Sequence, residues 1–116
     1  MTQSRLEIFE TMAREQPDNA MIWYGLASEY FKVERWGEAA AALRSVVRVN
    51  PDYTAAYQML GTALLNQGLK EEARRAWTAG IETADRTNAW KARQHMEGLL
   101  AGTNTEPGTE FCNENS

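Results

Sequence analysis

Large apolar residues recur along the chain in short runs at intervals of three and four. Between Ala20 and Val33 they stand at Trp23, Leu26, Tyr30 and Val33, which is one face of a helix. Glu34-Arg35-Trp36-Gly37 interrupts, and a second amphipathic run holds Ala39, Leu43, Val46 and Val47. Asn50-Pro51-Asp52 ends it. The proline cannot continue a helix and disfavours helical geometry at Asn50, while Asp52 is placed to cap the next helix. The pattern returns through Tyr57, Leu60 and Leu64, breaks at Gln67-Gly68, and resumes at Ala73, Trp77 and Ile81. Gly68 suits the left-handed position that often ends a helix. Leu6, Phe9, Met12 and Ala13 predict a further helix before Pro17-Asp18, and residues 88–101 predict a last one. That makes six helices with no hairpin signal. The fold class is all-α.

These runs are copies of one another. A shift of 34 residues lays Pro17 on Pro51, Trp23 on Tyr57, Leu26 on Leu60 and Ala39 on Ala73. The same shift puts Phe9, Leu43 and Trp77 in one column, and Ala27, Gly61 and His95 in another. Large residues meet large and small meet small, except that His95 stands where a small residue is expected. The predicted helical domain is 1–101: a half-repeat over 4–17, repeats over 20–53 and 54–87, and a capping helix over 88–101. Residues 102–116 change character, with three glutamates, no basic residue and Phe111 as the one large apolar group. They read as a polar acidic tail.

The spacing Trp23-x2-Leu26-Ala27-x2-Tyr30, followed by Ala39, Leu43, Val46 and Pro51, resembles the tetratricopeptide repeat. The second copy is Tyr57-x2-Leu60-Gly61-x2-Leu64, then Ala73, Trp77, Gly80 and Asp85. The resemblance covers about residues 4 to 100. It implies antiparallel helix-turn-helix units stacked as a short right-handed α-solenoid, used as an interaction scaffold. Asp85 departs from the expected proline and loosens the last turn. Gly98 departs from the large aromatic expected there, which suits a terminal helix.

In tetratricopeptide folds a second stripe on the first helix of each repeat lines a concave groove. Here that stripe holds Met21, Tyr24, Ser28 and Phe31, then Ala55, Gln58, Thr62, Leu65 and Asn66. A peptide-binding groove is therefore expected at Met21, Tyr24, Ser28, Phe31, Gln58, Thr62, Leu65 and Asn66, with the aromatics as anchors and the polar groups as rim. The competing reading is that Met21 and Phe31 only pack the core. Some family members grip a terminal carboxylate with lysine and asparagine. The matching positions hold Tyr24, Ser28, Met59 and Ala89, and Arg93 alone is cationic, so that grip is not expected.

The chain has 116 residues, with 12 basic and 16 acidic side chains and a formal charge of -4. This balance opposes binding by phosphate neutralisation, so no nucleic-acid partner is expected. One cysteine and one histidine supply neither a disulfide framework nor a metal cluster, so no metal, cofactor or catalytic residue is assigned. His95 is expected to be half-exposed and structural, and Cys112 in the tail lacks a basic neighbour. Arg44, Arg48, Arg74 and Arg75 alternate with glutamates, as on a solvated, salt-bridged face. Trp36 is expected to cover the end of its own repeat. Trp90 is expected to pack onto Trp77 or Ile81, or else to stand exposed as a partner anchor. No apolar run approaches the ~20 residues of a membrane span, and a cytoplasmic location is expected, with no membrane partner.

The leading functional reading is a non-catalytic adaptor that binds a protein or peptide segment. The alternative is a structural module that self-associates as a weak homo-oligomer through an incompletely capped end, with Leu99 and Leu100 uncovered. Two full repeats are fewer than the three usually needed for independent stability.

Overall fold

Helix starts, stops and faces follow from a few local interactions in the computed structural model, which describes residues 4–104. Among the described residues six helices run in order: α1 (Arg5–Glu15), α2 (Ala20–Lys32), α3 (Trp36–Val49), α4 (Thr54–Asn66), α5 (Lys70–Thr87) and α6 (Trp90–Asn104). There is no strand among the described residues. Each helix packs mainly on its neighbours in sequence. That is the arrangement of a stacked helical-repeat solenoid.

Ser4 opens α1 with a reciprocal cap: its hydroxyl accepts from the Glu7 amide, and the Glu7 carboxylate accepts from the Ser4 amide. Asn19 opens α2 by accepting from the amides of Met21 and Ile22. Asp52 does not cap α4. The capping position falls one residue later, on Tyr53, and the Asp52 carboxylate instead takes Arg86 of α5 at 2.6 Å. Asn50 closes that turn by accepting from the Asp52 amide. The two turn prolines have a second use. The Pro17 carbonyl accepts from the Trp23 indole at 2.7 Å, and the Pro51 carbonyl accepts from the Tyr57 hydroxyl at 2.9 Å. One bond is thus made twice, 34 residues apart.

The largest fully buried side chains are Trp77, Leu43, Leu64, Met96 and Val46. The Trp77 indole lies on the backbone of α4 at Gly61, where any Cβ would overlap the ring. Its N–H donates to the Gln58 carbonyl at 3.2 Å, so the burial leaves no polar atom unpaired. Gly25 admits Phe9 of α1 against α2 in the same manner. Gly61 therefore lies against the second helix of its own repeat, as the register requires.

The repeat slips at its last turn. α2, α4 and α6 begin 34 and then 36 residues apart. Without a proline at Asp85, α5 runs on to Thr87 and ends at Asn88 in the left-handed conformation, φ 60°. The inward face of α6 is consequently Ala92, Met96, Leu99 and Leu100. His95 is exposed, not half-buried, and the small-residue position it was expected to hold falls to Glu97. Leu100, not Gly98, matches Tyr30 and Leu64. Leu99 and Leu100, expected to be uncovered, are half-buried against the core. Trp90, the first residue of α6, is 58% exposed, in keeping with the second of the two expectations for it. The helix also continues three residues past the expected end at 101. The rest of the predicted tail lies outside the described residues.

The side of α6 turned to solvent carries Lys91, Gln94, His95, Glu97 and Gly98. A terminal helix with a polar outer side is how a repeat array closes.

Two substitutions test this packing. Gly61→Leu is expected to overpack the Trp77 contact and cost about 1–3 kcal/mol in thermal or denaturant unfolding. Glu34 sits at φ 58°, one repeat before Gly68 at φ 83°. A β-carbon is strained there and a glycine is not. Glu34→Gly is therefore expected to stabilise by about 1 kcal/mol, a rise in melting temperature of roughly 4–8 °C.

Candidate functional site

The sides of α2 and α4 that do not face α3 and α5 form one continuous open face. Helical spacing puts Met21, Tyr24, Ser28 and Phe31 along it on α2, and Ala55, Gln58, Thr62 and Leu65 along it on α4. Met21 is 73% exposed and Leu65 38%. Asn66 is exposed, and Tyr24, Ser28, Phe31, Gln58 and Thr62 are half-buried.

Aromatic pairs mark the two ends of this face. Tyr24 stacks on Tyr53, with ring centroids 5.0 Å apart and planes 27° from parallel. Phe31 meets the edge of Trp36 at 5.1 Å and 85°. Trp36 begins α3 and covers the end of its own repeat through that contact. Tyr53 was not singled out in the sequence, because it lies in the turn before α4 and outside any helical stripe. The Asn-Pro-Asp-Tyr run was the available signal, since it fixes where the chain re-enters the helix. Burial, then the neighbouring Tyr53, pushes the Tyr24 hydroxyl above its ordinary range. The Tyr24 ring therefore presents as neutral surface at any physiological pH.

The expected polar rim is partly used up. The Ser28 hydroxyl donates to the Tyr24 carbonyl, and the Thr62 hydroxyl donates to the Gln58 carbonyl. What these hydroxyls offer a ligand is their acceptor side. The face does not bring Met21 and Phe31 together; ten residues of helix separate them by about 15 Å. Arg93 faces away from a groove, since its guanidinium holds Asp85 at 2.7 Å and Glu97 at 3.0 Å.

The second helices carry the opposite character. Arg44 of α3 meets Glu72 of α5 at 3.2 Å, and Arg48 reaches the Pro17 carbonyl. Two shallow clefts lie on this side, one between α2 and α3 and one among α3, α4 and α5. One is floored by Trp23, Leu26 and Tyr30, the other by their repeat equivalents Tyr57, Leu60 and Leu64. Among the described residues no three histidine, cysteine, aspartate or glutamate side chains gather to hold a metal ion. No described helix is long and apolar enough to cross a membrane.

The sequence model for the tetratricopeptide repeat matches residues 24–89. The chain is a tetratricopeptide repeat protein. It is 32% identical over 95 residues to TPR repeat-containing protein PA0015 of Pseudomonas aeruginosa, covering 82% of this chain and 90% of that one. Among solved structures, it is similar to protein BPP2914 of Bordetella parapertussis, with a TM-score of 0.82 and 25% identity. That match covers 99% of this chain and 100% of the other. The TPR2B domain of yeast Sti1, solved as a complex with pHsp70, matches at a TM-score of 0.79 and 17% identity, over 86% of this chain and 80% of that one. At that identity the likeness speaks for the fold.

Within this tetratricopeptide array, polar bonds add to the apolar contacts of Phe9 and Ala13 that dock the lone helix α1. Glu29 of α2 is buried and takes Lys32 at 3.1 Å and Arg5 of α1 at 3.2 Å. The Lys32 hydrogen bond, joined by Arg5, holds its carboxyl below the usual glutamate range despite burial. Beside it the Tyr30 hydroxyl donates to Glu10 of α1 at 2.7 Å, and Arg35 stands over the Tyr30 ring. Burial, then the bond to Glu10, pushes the Tyr30 pKa from 10.0 up to about 12. The folded state thus holds this proton more tightly than the unfolded chain does. Its stabilisation is complete below pH 10 and is lost as pH rises from 10 towards 12. Melting temperature measured across that window should fall more steeply for the wild type than for Tyr30→Phe.

Proposed function

We propose that this protein is a non-catalytic adaptor whose open face on α2 and α4 binds a protein or peptide segment. The observation that carries the reading is the contrast between its two sides. Exposed Met21 and Leu65, with the Tyr24–Tyr53 and Phe31–Trp36 pairs between and beside them, lie on the first-helix side. The second-helix side carries exposed charge paired across the helices, as between Arg44 and Glu72. Apolar side chains kept in water on one face of a small array cost solubility, and a binding partner is the usual compensation. The similar Sti1 domain was solved with a bound partner, which supports a protein or peptide ligand as the class. Its ligand chemistry is not carried over, because the one candidate clamp residue here, Arg93, is held by Asp85 and Glu97.

Self-association through the end of the array draws less support. The outward side of α6 is polar, and its leucines pack inward. A cytoplasmic adaptor that works as a monomer fits these surfaces.

The test uses Met21 and Leu65, the exposed large apolar groups of the face, because the aromatics also contribute to packing. Met21→Glu combined with Leu65→Glu should leave the helical circular dichroism unchanged. Capture of the wild type's partner from a lysate should weaken at least tenfold, or about 1.4 kcal/mol. Arg44→Ala with Arg75→Ala should leave capture intact. Loss of the partner in the arginine variant, with retention in the glutamate variant, would move the binding surface to the second helices.

A further inference from the structure

We infer that the cleft among α3, α4 and α5 is a second binding site, one that takes a small carboxylate with an apolar body. The cleft lies on the second-helix side, so this site is additional to the open face proposed for a protein segment.

The repeat builds this cleft twice, and the chain thereby carries its own control. A shift of 34 residues lays the floor Trp23, Leu26 and Tyr30 on Tyr57, Leu60 and Leu64. The same shift lays Glu38 on Glu72 and Ala42 on Ala76 at the sides. The two clefts enclose about 270 and 280 Å³. What differs is the rim. Ala41 of the first cleft is replaced by Arg75 in the second. Glu10, which takes the Tyr30 hydroxyl beside the first floor, stands one repeat before Arg44, which lines the second. Two positions have thus turned basic between copies of one structure.

The charge around each floor follows from this exchange. At the first, the carboxylates of Glu10 and Glu38 outnumber the guanidinium of Arg35. At the second, Arg44 and Arg75 outnumber Glu72, and Leu69 stands in the column of Arg35. Arg44 pairs with Glu72 across the cleft at 3.2 Å. Arg75 makes no ion pair or hydrogen bond among the described residues. Glu71 and Glu82 lie on the outward side of α5 with Arg74 between them, and neither lines this cleft. An anion over the floor therefore meets a cation that has no partner. Arg44 can add a further N–H, because one contact to Glu72 leaves most of its donors unused.

Size and contrast select the ligand. Leu60 and Leu64 form the bottom and are almost closed to water, while half-buried Tyr57 and Ala79 form the walls. Apolar walls with a few convergent polar groups are the ordinary make-up of a small-molecule site. The volume is at the small end of such sites, which begin at about 300 Å³. It admits one ring or a short chain. A segment laid across both clefts would pass from a basic rim to an acidic one, so the match is confined to one cleft and a compact ligand. Guanidinium groups bind carboxylate through short charge-assisted hydrogen bonds. An alkyl or arylalkyl carboxylate satisfies both parts of the site.

Phenylbutyrate is a suitable probe, with phenylbutanol as its uncharged counterpart. Titrated into the isotope-labelled full chain, the acid should shift amide signals of residues 57–64 and 72–79 saturably, with a dissociation constant on the order of millimolar. Signals of residues 23–30 and 38–45 should barely move. Phenylbutanol should bind about threefold more weakly. Arg75→Ala installs the residue of the first cleft and should weaken the acid about threefold, with no change for the alcohol. Glu72→Gln releases Arg44 and should tighten the acid. Equal shifts at the two clefts would overturn the inference, as would an alcohol that binds as well as the acid. Wild-type affinity in Arg75→Ala, or no saturable shift at about ten millimolar probe, would overturn it too. The readout uses no protein partner, so capture through Met21 and Leu65 stands or falls separately.

Discussion

The close approach of the Trp77 indole to the α4 backbone at Gly61 is the contact on which the second repeat depends. It asks three things of the sequence at once: a glycine for clearance, a tryptophan for volume, and a carbonyl within reach of the indole N–H. Gln58 supplies the carbonyl, and the same oxygen takes the Thr62 hydroxyl. The largest buried ring is therefore tied into the helix that carries the open face. Whatever binds Gln58 or Thr62 acts on residues whose backbone is already held from behind.

The first repeat solves the same problem with smaller parts. Leu43 and Ala27, both fully buried, occupy the columns of Trp77 and Gly61. The aromatic-on-glycine contact moves one interface earlier, where Phe9 meets Gly25. The bonds from Trp23 to Pro17 and from Tyr57 to Pro51 then repeat without change. Polar bonds make up what α1 lacks in apolar surface, through Glu29 and through Tyr30 with Glu10.

Much of the fold was legible in the sequence, because a repeat writes each local rule more than once. Helical spacing, the two proline turns and Gly68 are short-range signals, and they specify six helices and their pairing. The reading went astray where a signal was missing. No proline marks the end of α5, so the 34-residue register carried forward put His95 and Gly98 in columns that belong to Glu97 and Leu100. Asp52 has the right chemistry for a cap, but a one-residue offset hands it to Arg86. The candidate site was visible as a stripe on α2 and α4. Its Tyr53 member was not, since stacking across a turn leaves no periodic trace.

The uneven spacing of the first helices bears on how such an array can change length. Between α3 and α4 the chain passes from one 34-residue unit to the next in strict register, so a duplicated unit placed there would meet matching surfaces on both sides. Past α5 the register is two residues out, and Glu97 occupies the position where a further second helix would need a small side chain. A unit inserted in the middle of this array would keep the register, and it would lengthen the open face by one more turn-borne aromatic.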